Sequence, residues 1–301
     1  MVGMRILFAT DGSTGAGQAL QLLASSLVPG RVASVEVISI ARQVPRGPNT
    51  GPTDAPHALM NQTHRHAAEQ FVHDAAELLR AAGFETVESV REGHPAETIV
   101  THAIAGKSDL IVLGTRGLGG LRRRVVGSVS TKVARYAPTP VLVARTAGPI
   151  RSVLLGYDAS PDADEALEFV ARLPFGEGFK VTVCSAYDVV RPFSSGLAPT
   201  MVAQVRAAYS DSLRWAREAA ETMAASAGGR LLERGVPATH RTARGPAHEQ
   251  LAIVARELSA DLLVVGSRGL SAIQRFFLGS TSAALVTHPP TSVLVARSTG
   301  R

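Results

Sequence analysis

The sequence predicts an α/β protein of two tandem doubly wound domains, each with a five-stranded parallel sheet of order 3-2-1-4-5 and helices on both faces. Three observations predict this fold class. Short apolar runs alternate with helical stretches along the chain, which is typical of a parallel sheet covered on both sides. One long sequence pattern occurs twice in the chain, and each copy contains five strand-like runs, the number that this strand order requires.

The repeat is the strongest sign of domain organisation. The run "IVLGTRGLGGLRRRVVGS" returns as "LVVGSRGLSAIQRFFLGS", and the closing run "VLVAR" also occurs twice at the same offset. A solenoid unit has only about 20–50 residues, so the pattern indicates duplication of a whole domain. The Gly-Pro pair in "TAGPI" indicates the junction, which predicts domain 1 over residues 1–147 and domain 2 over residues 148–301.

Both copies predict the same elements in the same order. A first strand ends in "DGS" or "DAS" and leads into a helix, for which Ser160 is an expected N-cap with Pro161 at the first helical position. The second strand, "VASVEVISIA" or "FKVTVCSAY", precedes a long helix over roughly 58–82 or 201–227. A third strand, a helix, the strand "DLIVLG" or "DLLVVG", the glycine segment, a helix and a last strand complete each copy.

Composition narrows the class of protein. The chain of 301 residues is 45% hydrophobic and 19% charged, so it can bury packed cores and is not disordered by composition. The net charge of +6 favours anionic partners. The single cysteine, Cys184, permits no internal disulfide and is expected to be a small buried hydrophobe. Without a signal-like start or an apolar run of about 20 residues, the sequence predicts a cytoplasmic protein with no membrane partner.

The repeated glycine segment predicts a phosphate site at one edge of each sheet. The pairs Gly127-Ser128 and Gly279-Ser280 stand at helix starts, where main-chain amides and the helix dipole favour an anion. In a sheet of this order the ligand crevice lies between strands 1 and 4, and Asp11 and Asp158 follow strand 1. A carboxylate beside a phosphate cradle suits a nucleotide. The alternative is that these glycines only tighten turns.

The spacing Gly-x-x-Gly, nine residues, then Gly-Ser resembles the nucleotide-binding motif of the universal stress protein family. It reads "GTRGLGGLRRRVVGS" and "GSRGLSAIQRFFLGS" here, and the runs "DGS", "DAS" and "VLVAR" match the family as well. The resemblance covers the whole chain as a tandem two-domain member. It implies the fold predicted above, a role in adaptation to stress, and ATP as the ligand, with Mg²⁺ held by the ATP phosphates rather than by a side-chain cluster.

The resemblance also implies which residues contact ATP. The loop after strand 1 contacts the nucleoside, the end of strand 2 contacts adenine, and the glycine segment holds ribose and phosphates. In domain 1 these positions are Asp11, Gly12, Ser13, Ile40, Gly114, Arg116, Gly117, Gly127, Ser128 and Val129. In domain 2 they are Asp158, Ala159, Ser160, Ala186, Gly266, Arg268, Gly269, Gly279, Ser280 and Thr281. No catalytic residue is assigned.

The resemblance implies partners and a mode of action. Family members pair through the last strand, so we expect pseudo-twofold pairing of the two domains inside one chain and homodimerisation of chains. ATP is expected to act as a regulator, through conformation or partner binding. A slow ATPase or nucleotidyl-transfer enzyme, and a scaffold with vestigial sites, remain as alternatives. Nucleic acid is not an expected partner, because the sequence has no aromatic stacking platform or recognition motif.

Two differences between the copies suggest unequal sites. The first copy has the run Arg122-Arg123-Arg124, and the second copy has Ala272-Ile273-Gln274 in a similar place, with Arg275 following; this predicts a more electropositive rim at the first site or, alternatively, a solvated loop. The stretch "GHPAE" before the third helix becomes "GPAHE" in the second copy. Because that loop borders the predicted crevice, the two affinities are expected to differ.

Overall fold

A computed structural model describes residues 3–43, 55–115, 126–193, 195–196, 198–269 and 278–297. In the first half, these residues form the strands β1 (Met4–Ala9), β2 (Val32–Ala41), β3 (Thr86–Glu92), β4 (Leu110–Gly114) and β5 (Val141–Ala144). The helices of that half are α1 (Thr14–Ser26), α2 (Ala55–Ala81), α3 (Pro95–Ala105) and α4 (Ser128–Tyr136).

The second half repeats this order of elements. Its strands are β6 (Ser152–Gly156), β7 (Lys180–Tyr187), β8 (Ala238–Arg244), β9 (Leu262–Gly266) and β10 (Ser292–Ala296). Its helices are α5 (Pro161–Arg172), α6 (Pro199–Glu233), α7 (Ala247–Glu257) and α8 (Ser280–Thr287).

All of these strands belong to one sheet of order β3-β2-β1-β4-β5-β10-β9-β6-β7-β8. Each half therefore has the predicted order 3-2-1-4-5, with parallel pairing inside the half. The last strands β5 and β10 pair antiparallel, with Leu142 opposite Leu294. This pair joins the two halves with pseudo-twofold symmetry, as the family resemblance implied.

A second contact joins the halves at the ends of α1 and α5. The main-chain N–H of Val28 donates to the Pro174 carbonyl at 2.8 Å, and the N–H of Gly176 donates to the Ser26 carbonyl at 3.0 Å. These two hydrogen bonds run in opposite directions between segments 26–28 and 174–176, so they obey the same pseudo-twofold relation as β5 and β10.

Two apolar layers, one on each face of the sheet, form the core. Helices α1, α2, α5 and α6 cover one layer, and α3, α4, α7 and α8 cover the other. Side chains from both halves contribute to each layer. The halves consequently share their buried apolar surface and are stabilised together. Among the described residues, no helix has the length and apolar character needed to cross a membrane.

Helix α6 is longer than the sequence predicted, since it runs past Gly228 and Gly229 to Glu233. Adjacent glycines weaken a helix, but the helix continues through this pair. The last turns are stabilised by packing instead: Leu231 is fully buried, and the backbone of Gly228 lies against His240 of β8.

Candidate functional site

The carboxyl ends of strands 1 and 4 lie side by side in both halves. Ala9 of β1 is paired with Leu113 of β4, and Leu155 of β6 is paired with Val264 of β9. The loops that leave these strands therefore start from the same edge of the sheet. We call site 1 the crevice between residues 10–13 and the start of α4, and site 2 the crevice between residues 157–160 and the start of α8.

The loop after strand 1 has the same hydrogen-bonded turn in both sites. Asp11 accepts the N–H of Ser13 at 3.1 Å, and Asp158 accepts the N–H of Ser160 at 3.0 Å. Each serine is buried, and its Oγ accepts a main-chain N–H in the first turn of α1 or α5. The predicted N-cap role of Ser160, with Pro161 at the first helical position, is confirmed.

The middle residue of this turn has a left-handed backbone in both sites. Gly12 has φ +71°, and a Cβ there would lie 2.3 Å from the Phe71 ring of α2. Ala159 takes the same place in site 2 with φ +58°, a conformation that costs a non-glycine residue about 1 kcal/mol. The conformation and the ring contact together explain why glycine stands in site 1.

The glycines that end strand 4 allow a helix to approach the sheet. A Cβ on Gly114 would lie 2.3 Å from the carbonyl of Gly15 in α1. A Cβ on Gly266 would lie 2.6 Å from the carbonyl of Asp162 in α5. Because these neighbours are backbone atoms, no side-chain rotation can relieve the overlap. Helix packing is therefore sufficient to explain glycine at these two positions, which the resemblance implied as contacts of ATP.

The starts of α4 and α8 have the geometry of an anion site. Gly127 and Gly279 are N-caps without a side-chain capping bond. Their own N–H groups donate to the Thr115 carbonyl at 2.6 Å and the Ser267 carbonyl at 2.8 Å, so the glycine amides themselves are occupied. The amides that follow, at 128–129 and 280–281, belong to the first helical turn, where no helix carbonyl is available to them.

Two serines that we did not predict fix these helix starts to the sheet. Ser130 donates its hydroxyl to the Gly114 carbonyl at 2.6 Å, and Ser282 donates to the Gly266 carbonyl at 2.6 Å. Both serines are buried. The repeat could have identified them, because "GSVS" and "GSTS" both have a serine two places after the serine of the motif.

Asp158 and Gly269 lie together in site 2. A Cβ on Gly269 would stand 2.7 Å from Oδ2 of Asp158. The fold thus brings the predicted carboxylate next to the glycine segment. In site 1 the matching Arg116 and Gly117 lie outside the described residues, as do Arg122-Arg123-Arg124 and Ala272-Ile273-Gln274.

Arg268, a predicted contact of the nucleotide, is paired with a buried carboxylate. Its Nε and Nη2 donate to Asp162 at 3.0 and 2.9 Å, and the Ser267 hydroxyl donates to the same carboxylate. Burial opposes ionisation of Asp162, but these hydrogen bonds hold its pKa below the ordinary value. In the first half, Gly15 occupies the position of Asp162 beside the end of strand 4, so site 1 has no carboxylate there. Sequence reasoning missed this pair.

The predicted adenine contacts lie at the next strand ends. Ile40 is the penultimate residue of β2 and Ala186 that of β7, and both are partly buried. The loops before α3 and α7 border the same edge, because the N–H of Gly93 donates to Ala41 and that of Gly245 donates to Tyr187. The sequence difference in these loops changes the N-cap, which is His94 in α3 and Pro246 in α7.

Metal binding by a side-chain cluster has no support in the described part of the chain, where no three His, Cys, Asp or Glu side chains are grouped suitably. A divalent cation at these crevices would need ligand oxygens from elsewhere, such as phosphates, in addition to one aspartate. The donor set of each site therefore fits Mg²⁺ only as a companion of a bound polyphosphate.

Comparison with known proteins gives one consistent family. The model of the universal stress protein family matches residues 4–145 and again residues 149–297. Universal stress protein YxiE of Bacillus subtilis is 29% identical over 146 residues, which are 47% of this chain and 98% of the relative. A universal stress protein of Thermus aquaticus is 54% identical over 54 residues, 18% of this chain and 39% of the relative.

Solved structures of the family have the same fold. A universal stress protein from Archaeoglobus fulgidus aligns with a TM-score of 0.64 at 20% identity, over 97% of this chain and 98% of its own. One from Pseudomonas aeruginosa, named as a putative universal stress protein, gives 0.57 at 18% identity, over 97% and 92%. At these identities the likeness establishes the fold alone. With the family model matched twice, this chain belongs to the universal stress protein family as a tandem member with two copies of the domain.

Proposed function

We propose that the protein binds ATP at both sites and acts as a stress-response regulator through ligand-dependent conformation or partner binding. The observation that carries this proposal is one arrangement found twice. In each half a helix start without a side-chain cap is fixed to the end of strand 4 by a buried serine. The same edge carries an aspartate in a tight turn after strand 1.

The phosphates would bind at the helix starts. The amides of Ser128 and Val129, and those of Ser280 and Thr281, supply donors that the helix itself cannot use. The helix dipole favours negative charge at this end. A hydrogen bond from such a donor to an ionised phosphate contributes about 1.5–3 kcal/mol, so two donors in each site form an effective cradle.

The aspartates would bind the sugar or the cation. In doubly wound nucleotide-binding folds a carboxylate near the crevice accepts hydrogen bonds from ribose hydroxyls. Asp158 engages Ser160 through Oδ1, and its Oδ2 is the oxygen next to Gly269. That oxygen is placed for a ribose hydroxyl or for a Mg²⁺ ion carried by the ATP phosphates. Asp11 would serve site 1 in the same way.

Regulation requires that ATP bind one state of the protein more tightly than another. The two sites lie at opposite strand ends of one sheet, because its halves meet through the antiparallel pair of β5 and β10. ATP binding at either site would therefore act on an assembly that includes both halves. We propose a cytoplasmic partner as the receiver of this change, and a second copy of the chain is one candidate.

The experiment replaces the proposed phosphate donors without breaking the helices. Proline is tolerated at the first helical position, where the lost N–H has no helix partner, so Ser128→Pro with Ser280→Pro removes one amide and one hydroxyl in each site. Loss of one charged hydrogen bond should weaken calorimetric ATP binding about 10–100-fold. The matched control, Ser128→Ala with Ser280→Ala, keeps the amides and should lose less affinity.

The same protein samples separate the proposal from its alternatives. Nucleotide extracted from the purified wild type should be ATP by mass, and added ATP should persist for hours without phosphate release. Steady phosphate release would indicate an enzyme. If the wild type binds no ATP at millimolar concentration, the sites are vestigial. If the proline variant binds ATP with wild-type affinity, the phosphates do not bind at the starts of α4 and α8.

A further inference from the structure

The last described residue of the second half reaches across the pseudo-twofold interface. Arg297 follows β10, and its guanidinium donates to carbonyls in the last turn of α4, in the first half of the chain. Nη2 contacts the Ala134 carbonyl at 2.6 Å and the Arg135 carbonyl at 3.0 Å, and Nη1 contacts the Ala137 carbonyl. The residues Ala134 and Ala137 are fully buried, so Arg297 supplies hydrogen bonds that water could not readily replace.

The repeat counterpart of Arg297 does not make these contacts. Arg145 ends the identical run "VLVAR" in the first half, and its main-chain N–H donates to the Ser292 hydroxyl at 3.1 Å. Within the described ranges, its side chain forms no hydrogen bond to the end of α8. The C-cap of that helix is His288, whose N–H donates to the Ala284 carbonyl. The interface is therefore asymmetric at this point.

We propose that Arg297 is a positioning residue for site 1: it fixes the far end of α4, so phosphate binding in the first half depends on the second half. This inference rests on the proposed function. Within the described ranges Arg145 gives α8 no equivalent contact, so this positioning of a helix end runs in one direction only.

The length of α4 gives the physical reason. A helix of nine residues spans about 13 Å and does not persist on its own in water, so its orientation depends on tertiary contacts, which include those at its two ends. The start is fixed by the Ser130 hydroxyl and by the N–H of Gly127. The end is fixed by Arg297, whose cation also suits the negative end of the helix dipole.

Arg297 keeps its charge in this position. Burial lowers its pKa to about 10, while the charge of Asp162 raises the pKa and that of Arg268 lowers it. The guanidinium is therefore protonated at neutral pH and donates from both Nη atoms. Removing it would leave the carbonyls of Ala134 and Ala137 without these donors, and the last turn of α4 would fray.

The test measures the affinity of each site separately. Wild type, Arg297→Ala, Arg297→Lys and the matched control Arg145→Ala are titrated with 8-azido-ATP, cross-linked by light, digested and mapped by mass spectrometry. We expect Arg297→Ala to weaken site 1 about tenfold, a usual size for coupling between distant positions, and to change site 2 less, because Arg297 acts on Asp162 and Arg268 there only through their charges. Arg297→Lys should recover part of the loss, because a lysine offers one charged donor group without the fork. Arg145→Ala should leave both sites unchanged.

Unchanged affinity of site 1 in Arg297→Ala, or equal losses at both sites, would overturn the inference. Hydrogen exchange without nucleotide tests the positioning independently: Arg297→Ala should speed exchange in α4 and not in α8. Absence of any ATP binding by the wild type would refute the proposed function, whereas unchanged exchange in α4 would refute the role of Arg297 whatever ATP does.

Discussion

Replacing Gly114 with alanine tests the close contact between α1 and the end of β4. The new Cβ would lie 2.3 Å from the carbonyl carbon and oxygen of Gly15 and 2.7 Å from the amide nitrogen of Ala16. Ordinary contact requires about 1 Å more, so the first turn of α1 must move away from the sheet. Overpacking of this kind costs about 1–3 kcal/mol, and the upper end applies because the neighbours are backbone atoms.

Part of this cost is offset in the unfolded chain. Alanine has fewer unfolded conformations than glycine, which stabilises by about 0.4–1 kcal/mol. The net expectation for Gly114→Ala is a loss of about 2 kcal/mol in the free energy of unfolding, which lowers the unfolding temperature by about 3 °C in a chain of this size.

The matched control lies on the same helix. Gly17 of α1 is exposed, and a Cβ there would meet nothing within 4 Å. Gly17→Ala should therefore stabilise the protein by about 0.5–1 kcal/mol through helix propensity. Urea unfolding followed by circular dichroism compares the three proteins. Wild-type stability in Gly114→Ala, alongside the expected gain in Gly17→Ala, would show that α1 does not approach β4 as closely as described.

Three further perturbations test other contacts. Ser130→Ala should lower the free energy of unfolding by about 1–3 kcal/mol, because it leaves the buried carbonyl of Gly114 unpaired; urea unfolding measures this loss. The same variant should weaken ATP binding in site 1, and Ser282→Ala should weaken it in site 2, as mapping of the cross-linked sites would show. Asp162→Asn should lower stability by about 2 kcal/mol at pH 7. Burial opposes ionisation, but the Arg268 and Ser267 hydrogen bonds lower the folded pKa of Asp162, so this stabilisation exists above the unfolded pKa and is lost as pH falls below about 4. Below that pH the urea midpoints of the wild type and Asp162→Asn should converge. A difference between the two midpoints that stays the same at every pH would contradict the pairing of Asp162 with Arg268. Burial raises the pKa of the Cys184 thiol to about 11, so native protein should react with iodoacetamide at pH 8 far more slowly than urea-unfolded protein, and equal rates would contradict its burial.

The architecture could be predicted because it follows from local signals that occur twice. Alternating strands and helices specify a parallel sheet, and the short connections between them restrict the strand order. The N-cap of α5 follows from Ser160 and Pro161, since capping depends on residues adjacent in sequence. The pairing of β5 with β10 came from the family resemblance, because no local pattern specifies which two edge strands meet.

Contacts between distant residues could not be predicted. Asp162 and Arg268 meet only after folding brings α5 to the end of β9, and their separation in sequence gives no signal of it. The packing role of Gly114 depends on where α1 lies above the sheet. Arg145 and Arg297 end identical runs. Only their surroundings in the folded chain show that Arg297 contacts the end of α4, whereas Arg145 makes no matching contact with α8 within the described residues.

The central claim is that main-chain amides at the starts of α4 and α8 bind the phosphates of ATP. Backbone amide resonances, followed by nuclear magnetic resonance during titration with MgATP, test it most directly. The account predicts that the amides of Ser128 and Val129, and those of Ser280 and Thr281, show the largest shifts and saturate with ATP. Saturable binding whose largest shifts lie away from both helix starts would contradict it.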